Sequence, residues 1–413
     1  MTSREEGMSD VGASARSARE PQGHVPRLDV KSQIFLVSML FWTILAASYT
    51  VYLGVMHDYG AYLTIWELTL DGGDPWLGSL QARNAYGPIN VLLAPLVFID
   101  PLAPKVAMVA TFLIVNMLVV WRLLPFASSN LRLLMYGLFV PLNGCVIVWG
   151  IAFGGNDILV AGFVGLALIA RIDEHLVWAG FFLRLAVLLK AYPALLVLFF
   201  SMDRRVIAFR LLTSSAVTVG VGLTIPYLIW GGNSLNWLLY AAERGSAQLS
   251  VWNQIVNEPW LGFMHGTAFW AINVNSILVA AAVVAWLAVS WVLRVRWLPA
   301  SVVGLFIALF LYKVGHGQFW IPWLILVCGL LLSLSIADLR WALACVPTAV
   351  GVSIAAFTYD IRARLAFSWG EIQQEIGWIF FGLSVMTIGL FSWALVRQLR
   401  ESDREAGEAI TLT

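Results

Sequence analysis

Charge is what this chain has least of. Asp, Glu, Lys and Arg together make up 12% of its 413 residues, while 60% are hydrophobic. A soluble domain with that balance could not cover its surface with polar atoms. Cysteine is equally scarce: Cys145, Cys328 and Cys345 all fall in apolar runs, which excludes a disulfide framework and a cysteine-based metal cluster. There is no Gly-rich nucleotide fingerprint and no metal-spaced His/Cys pattern, so the expected cofactor is none. A net charge of +1 gives nucleic acid no electrostatic footing. Nor is there an internal repeat of fixed period, which counts against a transporter built from inverted repeats.

What is present is a succession of apolar runs, many about 20 residues long, the length that crosses a hydrocarbon core. They define an all-α polytopic membrane protein with about twelve spans. These are Ile34–Leu53, Val106–Leu124, Leu133–Trp149, Ile158–Ala170, Leu176–Leu189, Pro193–Phe200, Val206–Trp230, Thr267–Val292, Pro299–Leu311, Phe319–Ser335, Trp341–Phe357 and Gly377–Val396. The shortest, between Ile158 and Phe200, need local thinning or burial inside the bundle. Residues 1–32 read as a disordered cytoplasmic tail, too polar and long for the start of a cleaved signal peptide. Residues 33–397 form one transmembrane domain, and 398–413 a second cytoplasmic tail. Most Lys and Arg, among them Arg122, Arg171, Arg204, Arg205, Arg210, Arg294 and Arg397, fall on one side, which predicts both termini inside a plasma or inner membrane. Tyr86–Ile99 carries Pro88 and Pro95 and reads as a helix lying at the outer interface rather than a span.

Charge at membrane depth is costly, so where it collects marks function. Two long outer loops, 54–105 and 231–265, hold the polar residues, which places any chemistry outside. Nucleotide sugars are scarce there, so an external transferase needs a donor that travels in the bilayer, such as a polyprenyl-phosphate sugar. Such a site requires a carboxylate base, a cation for the departing phosphate and a groove for the lipid.

Asp58, directly after the first span, fits the base; it could equally cap the following segment. His57 beside it either pairs with the phosphate or snorkels. Lys190, followed by the helix-breaking Ala191-Tyr192-Pro193, is the main phosphate candidate, with snorkelling as its alternative. Arg184, deeper on the same helix, is expected to pair with an internal carboxylate. His316, in the polar turn 313–319, could meet phosphate or sugar or simply lie at the interface, and Arg83 in the first loop joins the phosphate candidates. Asp157, after Gly154-Gly155-Asn156, could contact sugar or a divalent cation, but N-capping the next helix is favoured. Asp71 and Asp74 are read as turn formers rather than metal ligands. Trp252 and Trp260 are candidates for stacking on a sugar ring.

The order of several short motifs on one face resembles glycosyltransferase family 87 of the GT-C superfamily, the phosphatidylinositol-mannoside mannosyltransferase type. They are Asp58-Tyr59-Gly60-Ala61-Tyr62, Asp71-Gly72-Gly73-Asp74-Pro75-Trp76, Tyr86-Gly87-Pro88, Gly155-Asn156-Asp157, Leu189-Lys190-Ala191-Tyr192-Pro193, Trp252-Asn253-Gln254 and His316-Gly317-Gln318-Phe319. The resemblance implies inverting transfer from a polyprenyl-phosphate donor to a glycolipid or polysaccharide acceptor. Asp58 then stands as base, with His57, Lys190, His316 and Arg83 toward the phosphate. Tyr62, Tyr86, Asn156, Asp157, Trp252, Asn253 and Gln318 stand toward sugar or acceptor, with no metal ligand. Two departures bear on the donor: Gly154-Gly155 replaces the family's usual Gly-Gln before Asn156, and one histidine stands where the family often has two. Mannose is therefore favoured and arabinofuranose is the alternative. A flippase or carrier of lipid-linked sugar shares the groove and anion site, but should also place polar residues at mid-membrane and on the inner side. A scaffold with a decayed site is the remaining reading.

Overall fold

The computed structural model describes residues 30–78, 84–123, 130–244, 246–332, 336–365 and 369–411. The expected tail over residues 1–29 and the candidate Arg83 lie outside them. The chain is almost entirely helical. α1 (Val30–Leu53) and α2 (His57–Leu70) are followed by the one-turn α3 (Pro88–Val91) and a 3-10 turn at Ala94–Phe98, then α4 (Ala103–Leu123) and α5 (Asn130–Phe139). A π-helical stretch, Cys145–Ala152, leads to α6 (Asp157–Ile172), α7 (Leu176–Leu189), α8 (Ala194–Ser201), α9 (Phe209–Trp230) and α10 (Trp237–Glu243). α11 (Val251–Asn257), α12 (His265–Asn273), α13 (Asn275–Val292), α14 (Trp297–Leu311) and α15 (Trp320–Leu332) come next. α16 (Ile336–Ala344), α17 (Val346–Arg364) and α18 (Trp369–Thr411) complete the chain, so the last helix runs through much of the segment read as a tail.

Among the described residues six helical segments are long and apolar enough to cross a membrane, and Cys145–Ala152 with Asp157–Ile172 forms a further pair bent by 114°. α7, α14 and α15 are shorter. α14 and α15 tolerate that length because they are interior: α15 is buried at every position and α14 at nearly all. A helix apolar all round belongs in a core. α9 and α13 expose most of their apolar side chains and form the lipid-facing wall.

One expectation is corrected. Leu133–Trp149 is not one span, because α5 stops at Phe139 and Pro141 cannot continue it. Tyr86–Ile99 does hold a short apolar helix rather than a span, Pro88–Phe98, begun by α3 and finished by the 3-10 turn through Leu92 and Leu93 in helical geometry; the longer helix of the first loop is α2. Pro88 opens α3 and Pro95 lies in the first turn of the 3-10 segment, positions where the missing N–H is tolerated.

Two small strand pairs pin the ends. At one end β1 (Met202–Asp203) pairs antiparallel with β2 (Val206–Ile207) through a turn in which Arg204 and Arg205 have φ of +48° and +80°. At the other, β3 (Ala247–Gln248) runs parallel to β4 (Val314–Gly315), tying the second long loop to the turn after α14. α7 connects the two ends, starting near the β1–β2 turn and finishing at Lys190, about 21 Å away for a 14-residue helix.

Candidate active site

Lys190 closes α7 in an extended conformation, and Pro193 disfavours helical geometry in the residue before it, so the chain leaves the helix here. The ammonium forms a buried ion pair with the Asp157 carboxylate. It also sits over the rings of Phe319 and Tyr86, at 4.7 and 4.9 Å. The second oxygen of Asp157 accepts a hydrogen bond from the Tyr192 hydroxyl at 3.0 Å. Asp157 lies in the first turn of α6, where the helix dipole favours a carboxylate, and Asn156 rather than Asp157 occupies the cap position. The favoured capping role of Asp157 is thereby corrected: its side chain is directed at Lys190 and Tyr192.

Asn156 is wholly buried, and neither polar atom of its amide has a hydrogen-bond partner among the described residues. An unmet buried polar group costs about 1–3 kcal/mol, so a donor and an acceptor are held in readiness beside the ion pair. Gln318 is buried against Gly155, where an added Cβ would lie 2.8 Å from its Oε1.

The parallel β3–β4 pair brings Arg244, just before β3, to His316, just after β4. Arg244 Nη1 stands 2.9 Å from His316 Nε2, and the guanidinium lies 5.2 Å from the Tyr240 ring. Since arginine only donates, Nε2 accepts and the imidazole is neutral. Burial pushes the His316 pKa down to about 3, with Arg244 and Lys190 adding repulsion. Burial also raises Tyr312 to about 12, against an opposing pull from Arg244. His316 packs edge-on against Phe319, with ring centroids 5.5 Å apart. Lys190 and a neutral histidine thus meet on one phenylalanine, and the histidine carries Arg244 on its other side.

α2 meets this cluster through tyrosines. Tyr62 and Tyr86 share a hydroxyl–hydroxyl hydrogen bond of 3.1 Å, their rings at right angles, and Tyr86 is the ring beneath Lys190. His57 and Asp58 are the first two residues of α2. In helical register, position 58 lies one turn before Tyr62 on the same face. Tyr59 anchors this end of α2, donating to Pro101 O at 2.6 Å.

A residue that sequence reasoning passed over holds the arrangement together. Lys105, fully buried at the start of α4, donates to the carbonyls of Ala152 at 2.8 Å, Gly54 at 2.9 Å and Thr50 at 3.4 Å. Its ammonium has no carboxylate partner among the described residues. It joins the end of α1, two residues before α2's cap, to the bend ahead of Asn156. Arg244 was equally overlooked as a site residue. Both could have been suspected: Lys105 interrupts the start of a long apolar run, and Arg244 is a cation in the loop leading to the Trp252 motif.

Other candidates are engaged structurally. Trp252 Nε1 donates to Leu311 O at 2.7 Å at the end of α14. Asn253 Oδ1 accepts weakly from Ser246 at 3.4 Å, and its Nδ2 has no partner among the described residues. Trp260 stacks on Trp378, and both indoles donate to the Glu258 carboxylate, at 3.1 and 2.6 Å. Asp74 builds its turn, accepting from Trp76 N and Asn233 Nδ2, both at 2.9 Å. Arg184 finds no carboxylate among the described residues, and its Nε is buried without a partner. No three His, Cys, Asp or Glu side chains gather as a metal site among the described residues.

The helices and this buried polar cluster define a polytopic all-α membrane protein. The model of glycosyltransferase family 87 matches residues 85–312, over half of the chain, and the protein belongs to that family. It is a membrane glycosyltransferase. Among solved structures it is similar to the crystal structure of ArnT from Cupriavidus metallidurans bound to undecaprenyl phosphate. The two share 12% identity over 88% of this chain and 77% of that one, with a TM-score of 0.46. No curated protein matches the chain.

Proposed function

We propose that the protein is an inverting transferase that moves a sugar, mannose by the family resemblance, from a polyprenyl-phosphate donor to a glycolipid or polysaccharide acceptor at the extracytoplasmic face. The observation that carries the reading is the placement of Lys190 and neutral His316 on Phe319, with Arg244 held on His316, one tyrosine pair away from α2, whose second residue is Asp58. A cluster of cations and aromatic rings at the end of the helical bundle suits a phosphate whose tail lies between helices.

In this scheme Asp58 takes the proton of the acceptor hydroxyl. The acceptor oxygen bonds to the anomeric carbon from the face opposite the phosphate. The carbon–oxygen bond to phosphate breaks, and its electron pair leaves with polyprenyl phosphate. Arg244 and Lys190 offset the charge that develops there. Asn156, with its unused donor and acceptor, meets sugar hydroxyls. His316 holds Arg244 and keeps one charge state between pH 5 and 8.

The test uses purified protein and a synthetic polyprenyl-phosphate mannose, with the glycolipid product read by mass spectrometry. Asp58→Asn preserves size but cannot accept the proton, so turnover falls by about 10²–10⁴-fold with folding intact. Wild-type turnover in that variant rejects Asp58 as base. Transfer from a nucleotide sugar, with none from the lipid donor, rejects the donor class.

A further inference from the structure

At the end of the bundle remote from Lys190, a cleft of about 530 Å³ opens between the starts of α7 and α9 and the β1–β2 turn. Its charged lining is Arg171, Arg204, Arg210 and Asp203. Three guanidiniums face one carboxylate, and that carboxylate is partly committed, accepting from Trp297 N at 3.2 Å. Arg171 is held in place from below: its Nε donates to Phe200 O at 3.0 Å and its guanidinium lies over the Trp297 ring at 5.2 Å. Arg171 also feels Glu174 outside the cleft. Arg204 and Arg210 have no side-chain partner among the described residues. Arg204 is carried on a left-handed turn, a conformation a non-glycine residue rarely adopts without a reason.

The rest of the lining is apolar and open. Val206 and Phe209 are each 69% exposed, beside Ile207 at 42%. A free anion would need the arginines but not this rim. A phospholipid needs both: guanidiniums for the headgroup phosphate, and exposed side chains at the helix starts for the first carbons of its chains. Basic pockets between spanning helices serve anionic headgroups in this way. Because the cleft lies a whole helix length from the sugar-transfer cluster, it is not part of that site.

We infer that this cleft is a binding site for an anionic glycerophospholipid of the adjoining leaflet, headgroup between Arg204, Arg210 and Arg171, acyl chains against Phe209 and Val206. Occupancy would clamp the β1–β2 turn onto the starts of α7 and α9, the helices that frame Lys190 at their other end.

The experiment is native mass spectrometry of the full chain in detergent, titrated with phosphatidylglycerol or with phosphatidylcholine of the same acyl chains. Phosphatidylglycerol should bind about tenfold more tightly than phosphatidylcholine, and Arg204→Gln with Arg210→Gln should erase most of that preference. The matched pair Arg397→Gln with Arg400→Gln, on exposed positions of α18, should leave it within about twofold. Asp203→Asn keeps the Oδ1 acceptor for Trp297 but removes the cleft's acid, and should tighten phosphatidylglycerol binding, a gain that misfolding cannot imitate. Equal binding of the two lipids, equal loss in both arginine pairs, or no gain in Asp203→Asn would overturn the site. Displacement by millimolar inorganic phosphate would overturn the lipid assignment in favour of a soluble anion.

Discussion

Asp157 and Lys190, 33 residues apart, form an ion pair from which water is almost excluded, with Tyr192 on one side and two aromatic faces on the other. Neither charge is tolerable alone at that depth. Removing one partner of a buried pair typically costs about 3–5 kcal/mol. Asp157→Ala should therefore lower the thermal unfolding midpoint in detergent markedly. Asp157→Asn combined with Lys190→Met should recover most of that stability but not sugar transfer. Recovery of both would show the pair to be architectural only.

Lys105 makes a different demand. Three carbonyls arranged around one ammonium match the three donors of lysine and not the planar fork of arginine. Lys105→Met should destabilise the protein and loosen the α1–α2 junction, and Lys105→Arg should fail to rescue it. Limited proteolysis near Gly54, compared with wild type, reads the loosening. A stable, active Lys105→Arg would remove the carbonyl tripod from the account.

Gly87 tests whether the Tyr86 ring is placed by backbone contact. Its amide donates to Leu189 O at 3.0 Å, and a Cβ there would strike Leu188 O at the end of α7. Gly87→Ala must push α3 away from α7 and take Tyr86 off the Lys190 ammonium. The expected result is a loss of stability of about 1–3 kcal/mol, typical of overpacking, together with loss of transfer. An unchanged unfolding midpoint would contradict the close approach.

His316 gives a pH signature. Its folded pKa of about 3 lies below the ordinary 6.5, so between those values the unfolded chain holds a proton that the folded one does not. Stability contributed by the neutral ring is present above 6.5 and is lost as pH falls toward 3. Wild type should thus be more stable than His316→Gln at neutral pH, with the gap closing on acidification. A gap constant from pH 7 to 4 would mean that the ring is not protected from protonation.

The sequence carried the bundle well, because apolar length is a one-dimensional signal: α1, α7 and α9 stand close to where the hydrophobic runs put them. It carried the breaks less well. The stop after Phe139 depends on Pro141, and the bend before Asn156 on Gly154 at φ +67° and on what packs against it, which no hydropathy window reveals. Lys190 and Asp157 were each visible as polar residues at helix ends, but their pairing joins positions in different helices. Arg244 became a site residue only because two-residue strands far apart in the chain align it with His316. The role of Lys105 was hidden for another reason: its partners are main-chain oxygens, which every residue has and no motif records.

The 114° elbow between Cys145–Ala152 and Asp157–Ile172 has a consequence of its own. A straight span passes through the bilayer and offers its ends only to water; a folded-back one delivers main chain and a short polar corner into a compartment already sealed by protein. This chain can thereby keep Asn156 and Asp157 dry without any separate lid. The same geometry leaves little slack, since adding or deleting a single residue in the corner would rotate α6 by about 100° and turn Asp157 away from its lysine.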